Sequence, residues 1–236
     1  MENRQCRRLR PGCLLSGAIR RLRSSWIGRP PDVLVAGDSL TAGEHASDRR
    51  RAYAPLLLGS LPETLGRRVR TRVAGLSGAR VADLLRRDLP AASHLVVVEV
   101  GTNDWQGYSA SGPWKATPVE RFDEEYGLLL DRLMAGHPTL VCLGVWGPSG
   151  GLSQVGARLN DYDDVIAAAC AARRGAFVSL SPVYDDPGSR GPGGRPTPFG
   201  ASDEEHPNDR GHARIAQLVS AASTGSGEAV TPSPQS

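Results

Sequence analysis

A three-layer α/β/α sandwich on a five-stranded parallel sheet is the fold class this sequence predicts, and three observations carry the prediction. Short apolar runs rich in Val, Leu and Ala recur without the alternation of a half-buried strand, as strands covered on both faces require. Stretches with helical spacing separate these runs, so strand and helix alternate from about residue 32 to residue 222. The 236 residues suffice for one α/β domain of ordinary size and are short for two.

The elements follow in order. Asp32–Ala36 is the first strand candidate, and Gly37-Asp38-Ser39-Leu40 closes it. A helix over Ala52–Leu61 leads to a second strand at Val69–Val73, and a helix over Ala79–Asp88 leads to a third at Leu95–Val100. Gly101 stands where that strand must turn. The helices Pro118–Met134 and Ala157–Arg173 flank a fourth strand, Leu140–Val145, and Gly175 precedes the fifth, Ala176–Leu180. Residues 183–202 are dense in proline and glycine and read as a long loop, which in a compact domain is usually functional or disordered. A last helix spans about Asp209–Ala222. The predicted organisation is a basic, flexible leader over 1–30, one domain over 31–223, and a disordered Ser/Gly/Pro-containing tail over 224–236.

Charge is unevenly shared. Residues 1–30 carry eight arginines against one glutamate, whereas the rest of the chain carries 20 basic and 24 acidic side chains. The domain is thus mildly acidic, and no nucleic-acid partner is expected of it. The single lysine, Lys115, against 27 scattered arginines reads as compositional bias. The leader's apolar stretch, Cys13–Ile19, is too short for a secretion signal and runs into Arg20-Arg21. Its apolar face is too thin for membrane contact to be expected. Four cysteines, Cys6, Cys13, Cys142 and Cys170, form no C-x-x-C pair. Free thiols and a cytoplasmic location are the expectation, with neither disulfide framework nor metal ligation.

Ligands of an open parallel sheet bind at the carboxyl ends of its strands. There the sequence offers Gly37-Asp38-Ser39, then Gly75-Leu76-Ser77-Gly78, then Gly101-Thr102-Asn103-Asp104, and, opening the last helix, Asp203-Glu204-Glu205-His206. A serine hydroxyl needs a base to become a nucleophile at neutral pH. Of the five histidines, His94 and His137 precede strands and lie at the wrong end, and His212 lies six residues beyond His206 in the same helix. His45 lies at the correct end, but only its neighbour Glu44 could orient it. His206 is left as the base for Ser39.

The four blocks together resemble the signature of the SGNH (GDSL-type) serine hydrolases, in that family's order, over roughly residues 32–222. The resemblance implies a flavodoxin-like sheet, Ser39 as nucleophile, His206 as base and Asp203 as its partner. It also implies an oxyanion hole from the Ser39 and Gly78 N–H groups and the Asn103 side chain. Asp203 stands three residues before His206, within reach of the ring; it could cap the helix as well, and Glu204 or Glu205 could take its place. Asp38 is read as ordering the serine turn and Asp104 as a loop residue. Where relatives carry a small polar residue after the second-block glycine, this chain has Ala79-Arg80. Arg80 is expected in solvent rather than on a substrate anion.

The predicted activity is hydrolysis of small or medium O-acyl esters through an acyl-Ser39 intermediate, with no cofactor and no metal. Transfer of the acyl group to a sugar or secondary metabolite at the same site is the alternative, and a non-catalytic ligand-binding domain the more distant one. Trp105, Trp114, Trp146 and Tyr108 fall in loops near the site; Trp105 and Trp146 either bind substrate or anchor those loops.

Overall fold

The computed structural model describes residues 31–65, 69–92, 94–108, 112–191 and 206–224. The predicted leader over 1–30, the tail from 225 on, and Asp203 lie outside them. Five parallel strands, β1 (Val33–Gly37), β2 (Thr71–Gly75), β3 (Leu95–Glu99), β4 (Thr139–Leu143) and β5 (Ala176–Val178), make one sheet in the order β2-β1-β3-β4-β5. The helices are α1 (Ser39–Ala42), α2 (Tyr53–Leu65), α3 (Val81–Leu85), α4 (Thr102–Gln106), α5 (Val119–Leu133), α6 (Leu159–Ala172), α7 (Ser181–Tyr184) and α8 (Asp209–Ser223).

Successive strand side chains point to opposite faces, and both faces are apolar, which makes two cores. Leu34, Ala36, Val96, Val98, Leu140 and Cys142 face α3, α5 and α6, where Leu84, Phe122, Tyr126, Leu129, Tyr162 and Ile166 fill the space. Val33, Val35, Val97, Val141 and Leu143 face α2 and α8, packing against Tyr53, Leu57, Ile215 and Val219. The chain leaves β1 for one edge of the sheet and returns through β3 toward the other. The switch between β1 and β3 opens the crevice in which such sheets bind ligands.

Two expectations need correction. Cys142 on β4 and Cys170 on α6 form a disulfide across Cα atoms 6.2 Å apart, so they are not free thiols. Both fall in apolar segments, which hides from a one-dimensional reading that β4 and α6 pack side by side. The predicted loop 183–202 is partly regular: α7 occupies its start and a 3-10 turn follows at Pro187–Ser189, where Asp186 accepts from the Gly188 N–H. Residues 192–205 lie outside the described part.

Candidate active site

The turn that carries Ser39 is built from β1 outward. A side chain on Gly37 would run into the Glu99 carbonyl and the Thr41 side chain, so only glycine lets α1 pack there. Asp38 caps α1, its Oδ1 accepting from the Leu40 N–H at 3.1 Å, and Gly43 ends the helix with φ +80°. Ser39 is the first residue of that helix, where a backbone N–H has no intrahelical partner. Its Oγ lies 2.9 Å from His206 Nε2, just ahead of α8. A serine poised for attack donates in this contact, which requires a bare Nε2 and the ring proton on Nδ1. Asp38 Oδ1, at 3.5 Å from the same Oγ, is too far to compete.

The facing wall comes from β2 and β3. Gly78 holds φ +72°, and a Cβ there would sit 2.9 Å from the Tyr108 ring. Asn103, in α4, donates from Nδ2 to the Ala79 carbonyl at 2.9 Å and to Asp38 Oδ2 at 3.3 Å. Two acceptors on one side fix which end of the amide is nitrogen. Asp104 accepts from the Val81 N–H at 3.0 Å and the Thr117 hydroxyl at 2.7 Å, which seats α3 against α4. Burial pushes its carboxyl up to about 6.

Glu99, which the sequence reading passed over, is fully buried beneath the serine turn. Its Oε2 accepts from the Thr41 N–H at 3.2 Å, the Thr41 hydroxyl at 2.9 Å and the Asp38 N–H at 3.3 Å. Burial first, then the adjacent Asp38 carboxylate, push its carboxyl well above the usual range, which favours the protonated form. Burial likewise raises Asp38 to about 6, with the Leu40 N–H opposing. The one available signal was an acid closing the apolar run Leu95–Val100.

Ser39, Gly78, Asn103 and His206 line one cavity of about 210 Å³ with Leu40, Thr102, Gln106, Tyr108, Trp114 and Trp146. Trp146 is almost wholly buried, edge-on to Tyr184 at 5.2 Å, and forms part of the wall. Trp105 does not line the cavity. It is buried in the core with Nε1 donating to the Ala157 carbonyl at 2.9 Å, so it anchors a loop. Trp114, exposed and edge-on to Tyr108 at 5.5 Å, takes the rim position instead. Arg80 is half-buried and held by backbone: its Nε and Nη2 donate to the Tyr108 carbonyl at 3.0 and 2.6 Å, and Nη2 reaches the Lys115 carbonyl.

The other histidines near this edge are structural. His45 is buried, donating from Nε2 to the Gly191 carbonyl at 2.8 Å. His212 accepts from the Tyr53 N–H at Nδ1 and donates to the Glu44 carbonyl from Nε2. Burial drops it to about 4, so it stays neutral. Among the described residues no cluster of three His, Cys, Asp or Glu side chains could hold a metal ion, and no helix is long and apolar enough to cross a membrane.

The chain also matches a family profile. The GDSL-like lipase/acylhydrolase profile matches residues 35–214, most of the chain. The chain belongs to that family. This GDSL-like protein is accordingly a serine esterase, a carboxylic ester hydrolase. Solved structures share its fold. A two-domain esterase active on acetylated mannans superposes with TM-score 0.61 at 19% identity, over 94% of this chain and 55% of that one. This chain thus spans little more than half of that two-domain enzyme. A catalytic mutant of an acetylxylan esterase from Geobacillus stearothermophilus gives 0.61 at 19%, over 85% and 96% of the two chains. An alpha/beta hydrolase enzyme from the metagenome of Lake Arreo, Spain, gives 0.60 at 22%, over 83% and 96%. No curated protein matches the chain significantly.

Proposed function

We propose that this esterase removes small acyl groups, of acetyl size or a few carbons more, from a hydroxylated substrate through an acyl-Ser39 intermediate. The observation that carries the reading is the 2.9 Å contact of Ser39 Oγ with His206 Nε2 at the wall of a small aromatic cavity. As Oγ bonds to the acyl carbon, its proton passes to Nε2 and the carbonyl electrons move to oxygen. The protonated Nε2 then gives its proton to the departing alkoxide. Water repeats the sequence to release the acid. Asp203 is assigned to the Nδ1 side of His206, holding the ring proton there.

The Ser39 and Gly78 N–H groups and Asn103 are assigned to the oxyanion. Both hydrogens of Asn103 Nδ2 are engaged in the free enzyme. The 3.3 Å bond to Asp38 is the longer and the cheaper to exchange for a short bond to an oxyanion. Trp146 and Leu40 line a cavity that suits a short acyl chain, and Tyr108 with Trp114 at the rim suits a sugar-like alcohol. The neighbours whose titles name acetylated mannans and acetylxylan support an O-acetylated carbohydrate. Cytoplasmic residence rested on free thiols and on a leader too short for a secretion signal; the Cys142–Cys170 disulfide removes the first of these supports and favours an oxidising compartment.

Purified protein should hydrolyse p-nitrophenyl acetate in the presence of EDTA, and Ser39→Ala should lower the rate by at least about a thousandfold. Retention of activity in Ser39→Ala, or loss of wild-type activity to the chelator, refutes the reading.

A further inference from the structure

Glu44 follows Gly43 directly, and its carboxylate turns back over the nucleophile. Oε1 accepts from the Ser77 hydroxyl, one residue before Gly78. Oε2 is buried, has no hydrogen-bond partner, and lies 3.7 Å from His206 Nε2. In the resting enzyme this arrangement is unfavourable, because a carboxylate oxygen shut away from water faces a nitrogen that presents only a lone pair. Once Nε2 takes the Ser39 proton, the same two atoms become an ion pair with no movement of either. Groups complementary to the charged state and not to the resting one are those that accelerate a step.

We infer that Glu44 is a positioning residue of the catalytic charge system, a second carboxylate that faces the Nε2 side of His206 and stabilises its imidazolium while Ser39 is being acylated. Glu44 takes no proton. The proton moves from Ser39 Oγ to Nε2 and on to the leaving alkoxide, and Glu44 lowers the energy of the state between. Its tie to Ser77 serves the same end, since it links the loop of the nucleophile to the loop of the assigned oxyanion glycine. The inference rests on the acyl-Ser39 reading above.

Other ionisable groups face His206. Asp38 acts from the end of β1 and His212 from α8, and Asp203 lies outside the described residues. The Glu44 charge also raises Asp38, so Glu44→Gln favours an ionised Asp38, which opposes the shift expected of His206. The His212 bond to the Glu44 backbone carbonyl is kept. Glu44→Gln keeps an acceptor for Ser77 and removes the charge. The pH dependence of kcat/KM for p-nitrophenyl acetate, and of fluorophosphonate labelling of Ser39, reads the result.

The acid limb of both profiles should move to lower pH by about one unit, with a plateau up to about tenfold lower, since one unit and a tenfold change are the same free energy. Ser77→Ala, at an exposed position, should shift the limb in the same direction by less. An acid limb that stays in place or moves up in Glu44→Gln overturns the inference, even with a lower plateau, because a purely structural role would cost rate without moving the limb. Should Glu44→Gln fail to fold, an unmoved limb in Ser77→Ala overturns it instead. Ser39→Ala separates the two levels: if it stays active the acyl-serine reading fails, whereas if it is dead and the limb is unmoved only the role of Glu44 fails.

Discussion

At the scale of single residues, the serine turn stands on a buried acid whose surroundings favour its protonated form. Thr41 is the third residue of α1, one of the first-turn positions whose N–H no helix can satisfy. Glu99, from a different strand, supplies the acceptor, and Tyr53 donates to the Thr41 hydroxyl, which in turn donates to Glu99. A protonated carboxyl and a carboxamide are alike in shape and charge. Glu99→Gln should therefore keep a melting temperature within a few degrees of wild type and most of the esterase rate. Glu99→Ala leaves the Thr41 N–H buried with no acceptor and turns its hydroxyl onto Tyr53 alone; a buried unpaired donor costs about 1–3 kcal/mol. Its melting curve should fall by several degrees, with a loss of rate as the turn loosens. A severe defect in Glu99→Gln matched by none in Glu99→Ala would mean that Glu99 works as a carboxylate.

At the scale of elements, the cavity wall depends on a clamp between segments far apart in sequence. Arg80, which caps α3, grips the carbonyls of Tyr108 and Lys115, and Tyr108 and Trp114 between them form the cavity rim. Arg80→Ala should raise KM for a carbohydrate acetate several-fold while kcat with p-nitrophenyl acetate changes little, since the Ser39–His206 pair lies on other elements. Arg80→Lys should not rescue, because an ammonium cannot hold two carbonyls in the planar fork that guanidinium provides. Equal effects on kcat for both substrates would show that the clamp reaches the serine turn.

The same element scale separates what the sequence disclosed from what it hid. Strand cores such as Leu95–Glu99 and the helix at Asp209 were legible because burial on both faces and helical periodicity leave marks along the chain. Ser39 and His206 were legible because strand ends select them. The reach of Arg80 to residue 108 and the exchange of Trp105 for Trp114 were not, since a side chain's direction after a turn leaves no periodic trace. Glu44 was noticed only as a neighbour of His45, because the turn at Gly43 decides which imidazole it faces.

At the scale of the whole molecule, the sheet buries both faces, and the outer layers are held by packing against it. Among the described residues one covalent tie adds to that packing, joining β4 to α6 within the core that backs the β1–β3 crevice. Closing a loop of 28 residues removes entropy from the unfolded chain, and bridges of this length contribute about 3 kcal/mol. Both cysteines are fully buried, so reductant must wait for the domain to open. Under native conditions dithiothreitol should therefore change neither activity nor free-thiol count over minutes. Unfolding in guanidinium without reductant should expose no thiol from Cys142 or Cys170, as mass spectrometry of alkylated peptides would read. Cys142→Ala with Cys170→Ala should lower the unfolding free energy by about 3 kcal/mol or somewhat more, because the smaller side chains also leave space in the core. The esterase rate at 25 °C should be retained, since neither residue lines the cavity. Alkylation of both cysteines in unreduced, unfolded protein purified from a reducing cytoplasm would show that the pair is unbridged there, and would return the protein to the compartment its thiols first suggested.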